Sequence, residues 1–259
     1  MAHIETAVEG AVGTIWLDHF AKRNALSAPL CDEIVAAFEH FSQLRLRAAI
    51  LRARPGVKIW CAGHDVEELP QGRRDPQGWA DPPRRLIRAI ESYGAPVIAA
   101  VEGGVYGGGF ELAMACDILI ATPSASFALT PAKLGMPYHV SGMLTFMNVA
   151  PMRLLKEMIF TARPIGAERA FAAGLVNHIV EPESLGEFAQ AMAAEIAQNA
   201  PLPIALMKEQ LRLLAGAHPL SPQDFERIQG LRRVVYDSAD YLEGLQAFKQ
   251  KRAPVYRGE

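Results

Sequence analysis

The spacing of apolar residues changes along this chain, and the change marks its organisation. Residues 11–17 carry Val12, Thr14, Ile15 and Trp16 in a run that predicts a strand. Ser27 then precedes Leu30, Ile34, Ala37, Phe38 and Phe41, whose spacing by three and four predicts a capped helix to about residue 41. The short apolar run 48–53 suits a buried strand, and 57–61 suits another. Residues 71–83 are rich in Gly, Pro, Asp and Arg and read as a loop or lid. A helix at 86–93, a buried strand at 96–101, a glycine-rich turn at 103–109, a helix at 110–115 and a strand at 118–121 follow. From about residue 151 the period is almost wholly helical: 151–160, 167–173, 183–198, 202–215, 222–236 and 238–250, with one strand expected at 175–180. The pattern predicts an α/β core over residues 1–195 and a helical C-terminal region over residues 196–259.

Composition removes several classes of partner. Twenty-six basic and 28 acidic residues leave a net charge of −2, so no basic excess points to nucleic acid. No apolar run approaches the roughly 20 residues that span a bilayer, so no membrane contact is expected. The opening Ile4-Glu5-Thr6 lacks a basic segment followed by an apolar core, so no signal peptide is expected. Cys31, Cys61 and Cys116 are odd in number and lack C-x-x-C spacing, which fits three reduced thiols in a cytoplasmic protein.

The chain has no G-x-x-x-x-G-K-[ST], no G-x-G-x-x-G, no H-E-x-x-H, no paired C-x-x-C and no G-x-S-x-G. Two segments do suggest chemistry. Cys61-Ala62-Gly63-His64-Asp65 follows a strand, and its glycine would let backbone N–H groups approach a ligand; a plain strand-to-helix turn is the alternative. Gly107-Gly108-Gly109 opens a helix at a cost of about 1 kcal/mol of backbone entropy per glycine relative to Ala, so bare backbone must be needed there. Either the Gly108 N–H donates to a developing negative oxygen, or helix and strand pack tightly at this point.

Taken together, Asn24-Ala25-Leu26-Ser27, Ala62-Gly63-x-Asp65, Gly107-Gly108-Gly109-Phe110-Glu111-Leu112-Ala113 with Cys116-Asp117, Phe127, Leu134-Gly135 and Ala173-Gly174-Leu175-Val176 resemble the signature of the crotonase (enoyl-CoA hydratase/isomerase) superfamily, in its order. The resemblance implies a crotonase-like spiral of β-β-α turns with a C-terminal helical oligomerisation region, assembled as a homotrimer or as a homohexamer made of two trimers. It implies an acyl-CoA thioester substrate and no cofactor or metal beyond the coenzyme A of the substrate itself. The backbone N–H groups of His64 and Gly108 are then the oxyanion hole. Lys22, Arg23 and Ala25, with Ala62, Asp65 and Val66, line the coenzyme A site, and Lys251 reaches the phosphates from the C-terminal tail. Cations answer the pyrophosphate and 3′-phosphate of the ligand; the alternative for each is a solvated surface position.

Hydratases of the superfamily use two glutamates as acid and base. Glu111 stands at the first position, but the second, after Pro131, is Ala132, and a methyl group cannot move a proton. Thr130-Pro131, Pro137-Tyr138, Glu68-Leu69-Pro70, Gly72-x-Arg74-Asp75-Pro76 and the tail from Phe225 to Lys251-Arg252 resemble a decarboxylating subgroup, which removes CO2 from methylmalonyl-CoA to give propionyl-CoA. In that reading Tyr138 and Thr130 handle the carboxylate, while Met136 and Val140 desolvate it. Tyr138 as a packed loop aromatic is the alternative, and His139 beside it reads as a surface residue. Hydration or isomerisation with Glu111 as sole acid/base, and a non-catalytic acyl-CoA-binding protein, remain as rival expectations.

Overall fold

The structure, a computed structural model, describes residues 2–70, 78–217, 219 and 221–258. Two sheets grow together from successive turns of one spiral. The hairpin β1 (Ile4–Glu9) and β2 (Val12–Leu17) starts it, followed by α1 (Ala28–Gln43). The first full turn is β3 (Ala48–Ala53), β4 (Ile59–Cys61) and α2 (Pro82–Ser92). The second is β5 (Val97–Val101), β6 (Gly104–Tyr106) and α3 (Gly108–Met114). The third opens with β7 (Ile118–Ala121) and β8 (Ser126–Ala128), then continues through α4 (Val140–Val149) and α5 (Met152–Thr161). Then come β9 (Ile165–Gly166), α6 (Ala167–Ala172), β10 (His178–Ile179) and α7 (Leu185–Gln198). The chain closes with α8 (Pro201–Ala215), α9 (Pro222–Tyr236) and α10 (Ala239–Lys249).

Each turn gives one strand to each sheet. The larger sheet runs β1-β2-β3-β5-β7-β10 and the smaller β4-β6-β8-β9. Apart from the β1–β2 and β8–β9 pairs the strands are parallel. This is the β-β-α spiral expected from the sequence. Parallel strands covered on both faces read as continuous apolar runs, and β5, Val-Ile-Ala-Ala-Val, is buried at every residue. One face of the large sheet packs on α1 through Leu30, Ile34, Phe38 and Phe41. The other face meets α7 through Leu185, Ala189 and Ala193, four residues apart and so in one line down the helix.

Several elements depart from the sequence reading. β1 was not foreseen because it lies on an edge: past Ile4 its residues are exposed, so no alternation marks it. α4 was missed because Ser141, Gly142, Thr145 and Asn148 interrupt its apolar pattern. The strand expected at 175–180 is reduced to His178–Ile179. Within the 71–83 stretch, residues 71–77 lie outside the described residues, and Pro82 and Pro83 already form the first turn of α2, where a missing N–H is harmless.

A third apolar cluster joins the C-terminal helices to the core. Tyr236 of α9 with Tyr241 and Leu245 of α10 pack on Leu69, Val66 and Met136. The Tyr241 hydroxyl donates to the Pro70 carbonyl at 3.1 Å, and the Tyr236 hydroxyl to the Pro137 carbonyl at 3.4 Å. These helices therefore brace both loops that precede and follow the candidate site.

Candidate active site

The segment after β4 is aligned by a strand-like pairing with residues 23–26. Ala62 N–H donates to the Arg23 carbonyl at 3.1 Å, Leu26 N–H to the Gly63 carbonyl at 2.7 Å, and Asp65 N–H to the Leu26 carbonyl at 3.2 Å. In such a parallel bridge the N–H of the paired residue itself points away from the partner, here His64. Asn24 sets this geometry from a left-handed backbone (φ 52°). Its buried side chain accepts from His19 N–H at 2.8 Å and donates to the Trp60 carbonyl at 2.9 Å.

The glycine run meets His64 from the other side. Gly107 adopts φ 54° and donates its N–H to the Ala128 carbonyl at 3.0 Å. Gly108 is then the first residue of α3, where the helix offers its N–H no acceptor. Among the described residues neither the Gly108 nor the His64 N–H is taken by a protein acceptor. A Cβ on Gly63 (φ 94°) would lie 3.0 Å from the Gly108 nitrogen, and one on Gly108 would lie 3.3 Å from the His64 nitrogen. The two readings of the glycine run divide between its members. Gly109 packs tightly, since its Cβ would sit 2.7 Å from the Cys61 carbonyl oxygen, while Gly108 leaves a donor facing His64. The arrangement places two backbone donors close together, with the partial positive end of a helix behind one of them.

Side chains complete the surroundings. His64 is half-buried; burial lowers the pKa of its imidazole, and Nδ1 has no partner among the described residues. Burial pushes the Cys61 thiol up to about 12, which removes it as a nucleophile. Thr130 Oγ1 lies 3.1 Å from where a Cβ on Gly107 would be. The Tyr138 ring packs edge-on against Phe146 at 4.9 Å. Its hydroxyl is buried without a hydrogen-bond partner among the described residues. Burial first, and the charge of Glu111 second, hold that phenol well above its ordinary pKa, so it keeps its proton.

Sequence reasoning missed the network around Glu111. Glu111 and Arg84 are both buried, and Arg84 donates to Glu111 Oε1 at 2.7 Å. Arg84 also donates to the Ser141 hydroxyl. His139, expected at the surface, is only 3% exposed. Its Nδ1 accepts the Gly142 N–H at 2.8 Å and caps α4, while its Nε2 lies 3.2 Å from both Glu111 oxygens and 3.2 Å from Arg84 Nη1. Burial rather than solvation decides this histidine because the loop turns inward before α4. The sequence did hold one signal for Arg84: together with Ile87 and Glu91 it falls at positions i, i+3 and i+7 of α2.

The expected coenzyme A residues are brought together only in part. Lys22 bonds to Asp65 at 2.6 Å and Glu67 at 2.7 Å, and these two bonds raise its pKa. Arg23 is exposed, Ala25 and Asp65 are buried, and Ala62 and Val66 are half-buried around them. Lys251 lies in the turn after α10 with φ 54°, exposed, and no contact among the described residues joins it to this group. A cavity of about 550 Å³ lies elsewhere, between the end of α1 and helices α7 and α8, and none of the candidate residues lines it.

Comparison with known proteins places this geometry in context. The profile of the enoyl-CoA hydratase/isomerase family matches residues 7–259. The chain is 44% identical over 256 residues, 99% of its length and 98% of the relative's, to methylmalonyl-CoA decarboxylase of Escherichia coli K12. It is 37% identical to carnitinyl-CoA dehydratase of Salmonella typhi, over 96% of each chain. A solved methylmalonyl-CoA decarboxylase in complex with 2-nitronate-propionyl-CoA superposes with a TM-score of 0.97 at 44% identity, covering 99% of both chains. Among the described residues no helix is long and apolar enough to cross a membrane.

Proposed function

Because the chain belongs to the enoyl-CoA hydratase/isomerase family, we propose that it is a carboxy-lyase that converts methylmalonyl-CoA to propionyl-CoA and CO2. One observation carries this reading beyond family membership: two backbone donors with no acceptor among the described residues lie close together at His64 and Gly108, while residue 132 is an alanine on an exposed turn. The donors suit a thioester oxygen that gains charge, and the alanine removes half of the proton-transfer pair that hydration needs.

In the proposed step the bond between C2 and the carboxylate carbon breaks. CO2 leaves, and the electron pair passes into a thioester enolate whose oxygen accepts from His64 N–H and Gly108 N–H. C2 then takes up a proton from solvent, so a C2–H bond replaces the bond lost to CO2. Enolate charge is taken up by preorganised backbone dipoles, so the step needs no cofactor. Tyr138, protonated and without another partner among the described residues, donates to the departing carboxylate and holds it out of the thioester plane; Thr130 is its neighbour in this role. Lys22, Arg23, Ala25, Ala62, Asp65 and Val66 form the coenzyme A side, with Lys251 closing on the phosphates.

The helical region 196–259 serves assembly in this reading. No residue of α8 is buried, and Leu202, Leu211 and Leu214 stand 82%, 69% and 74% exposed. A homotrimer, or a homohexamer of two trimers, covers such surface, and a cytoplasmic location fits three free thiols.

The deciding experiment incubates the protein with methylmalonyl-, malonyl-, ethylmalonyl- and crotonyl-CoA and identifies products by mass. Propionyl-CoA from the first is expected. Hydroxybutyryl-CoA as the dominant product would overturn the proposal. Light scattering that gives a monomer or dimer would overturn the assembly.

A further inference from the structure

The buried group formed by Arg84, Glu111 and His139, which the exposed Ser141 meets from outside, takes no part in the decarboxylation proposed above, and burying ions is costly unless they are paired. Its position gives it a reason to exist. Glu111 is three residues beyond Gly108 on α3, so both lie on one face of the helix, with Cβ positions about 5–6 Å apart. A carboxylate there stands beside whatever the Gly108 N–H binds. Its oxygens are nevertheless engaged on the protein side. Arg84 bonds Oε1 at 2.7 Å, and His139 Nε2 lies 3.2 Å from both oxygens. Gly142 closes over the pair, since a Cβ on it would be 3.1 Å from Glu111 Oε1 and 2.8 Å from His139 Cε1. Arg84 is itself fixed by its bond to Ser141, and a guanidinium does not release a proton that could be relayed.

We propose that Arg84 is a specificity-determining positioning residue: by engaging Glu111 it keeps a base beside C2 from working on the substrate. The inference rests on the acyl-CoA reading above. Its chemical motive is that loss of CO2 and removal of an α-proton lead to the same thioester enolate. A free Glu111 would take a proton from C2 of propionyl-CoA. The C2–H bond would break, the proton would move to a carboxylate oxygen, and the electron pair would enter the enolate. Exchange of that proton with solvent and its return to C2 would follow. The product would thereby be scrambled, and in unsaturated relatives double bonds would be moved or hydrated. Arg84 suppresses this route and leaves decarboxylation.

The test is exchange of the α-protons of propionyl-CoA in D2O, followed by proton NMR. Wild type is expected to exchange slowly. Arg84→Met should exchange about tenfold faster or more, the scale of a restored general base. Adding Glu111→Gln to that variant should return the rate to the wild-type level. A purely structural Arg84 would lower every rate and raise none. Arg84→Lys keeps a cation in the cluster but loses the forked contact, so about a threefold rise is expected. If circular dichroism shows that Arg84→Met does not fold, Arg84→Lys decides alone. No rise in the folded variants, or a rise that survives Glu111→Gln, overturns the proposal. Wild type that neither binds propionyl-CoA nor decarboxylates methylmalonyl-CoA defeats the proposed function instead. Decarboxylation with no gain in exchange defeats only the role of Arg84.

Discussion

A Cβ placed on Gly108 would stand 3.3 Å from the amide nitrogen of His64, so the two residues face each other backbone to backbone. The first residue of a helix tolerates proline, because its N–H has no helical acceptor to lose. Gly108→Pro should therefore keep the fold while deleting one donor. Decarboxylation is expected to fall by about 10² to 10³, the usual cost of one oxyanion donor. Turnover near wild type with an unchanged circular-dichroism spectrum would remove Gly108 from the mechanism.

Gly63 holds the opposite wall. Its φ of 94° is strained for any residue with a side chain, and a Cβ would meet the Tyr106 carbonyl oxygen at 2.6 Å. Gly63→Ala should push the His64 N–H away from the Gly108 N–H. We expect kcat to fall about tenfold or more with a lowered Tm, since a small displacement of a catalytic dipole is costly. An alanine variant as active and as stable as wild type would show that this spacing is not critical.

Tyr138→Phe removes a hydroxyl that has no partner among the described residues and keeps the ring on Phe146. Packing should change little, and turnover on methylmalonyl-CoA should fall about tenfold to a hundredfold, or roughly 1.4 to 2.7 kcal/mol. Propionyl-CoA, which has no carboxylate, should bind as before. Equal losses in turnover and in propionyl-CoA binding would make Tyr138 a packing residue. Its raised pKa adds a second check. The phenol stays protonated through its ordinary titration range, so the rate should show no Tyr138 ionisation as pH rises from about 9 to 11, across the unperturbed tyrosine value near 10. A decline centred in that window, absent from Tyr138→Phe, would contradict the burial argument.

Residue 132 tests the reaction type. Ala132→Glu supplies the missing carboxylate, but Glu111 remains held by Arg84 at 2.7 Å. Weak hydration of crotonyl-CoA is expected in the variant and none in wild type. Wild-type hydration near 10² s⁻¹, well inside the ordinary range of enzymes, would mean that Ala132 had been misread.

Asn24 is a stability prediction. Asn24→Ala deletes one buried and one part-buried hydrogen bond and leaves an alanine in a left-handed conformation. With about 1 kcal/mol for each bond and 1 to 2 for the backbone, a loss of about 3 to 4 kcal/mol is expected by denaturant unfolding. A loss below about 1 kcal/mol would show that the turn is held by its backbone bonds alone.

The sequence revealed most where burial is uniform or strictly periodic. The strands around 50, 99 and 119 were legible because nearly all their residues are apolar and interior, and α1 because Leu30, Ile34, Ala37, Phe38 and Phe41 recur at helical spacing on its one buried face. Edge and functional elements were not. β6 is three residues inside a glycine-rich stretch, too short for any period, and α4 begins with the polar capping pair of His139 and Ser141. The expected oxyanion residues were found through glycine, whose entropy cost asks for a reason. Arg84 and His139 escaped because a charged or polar side chain reads as solvated until its partner is known, and their partner lies on another helix. Lys22 was read as a free cation for phosphates, yet it is already paired with Asp65, 43 positions away.

The bond from Tyr241 to the Pro70 carbonyl joins positions 171 residues apart. Contacts of such separation form only after the intervening chain has been ordered, because loop closure costs entropy before the contact returns any. The loops beside the site are thus among the last parts to settle. In refolding, helical circular dichroism should recover before propionyl-CoA binding does, and simultaneous recovery would show that the brace forms early. A newly made chain would therefore pass through a stage in which both sheets are complete and the enzyme is still blind to its substrate.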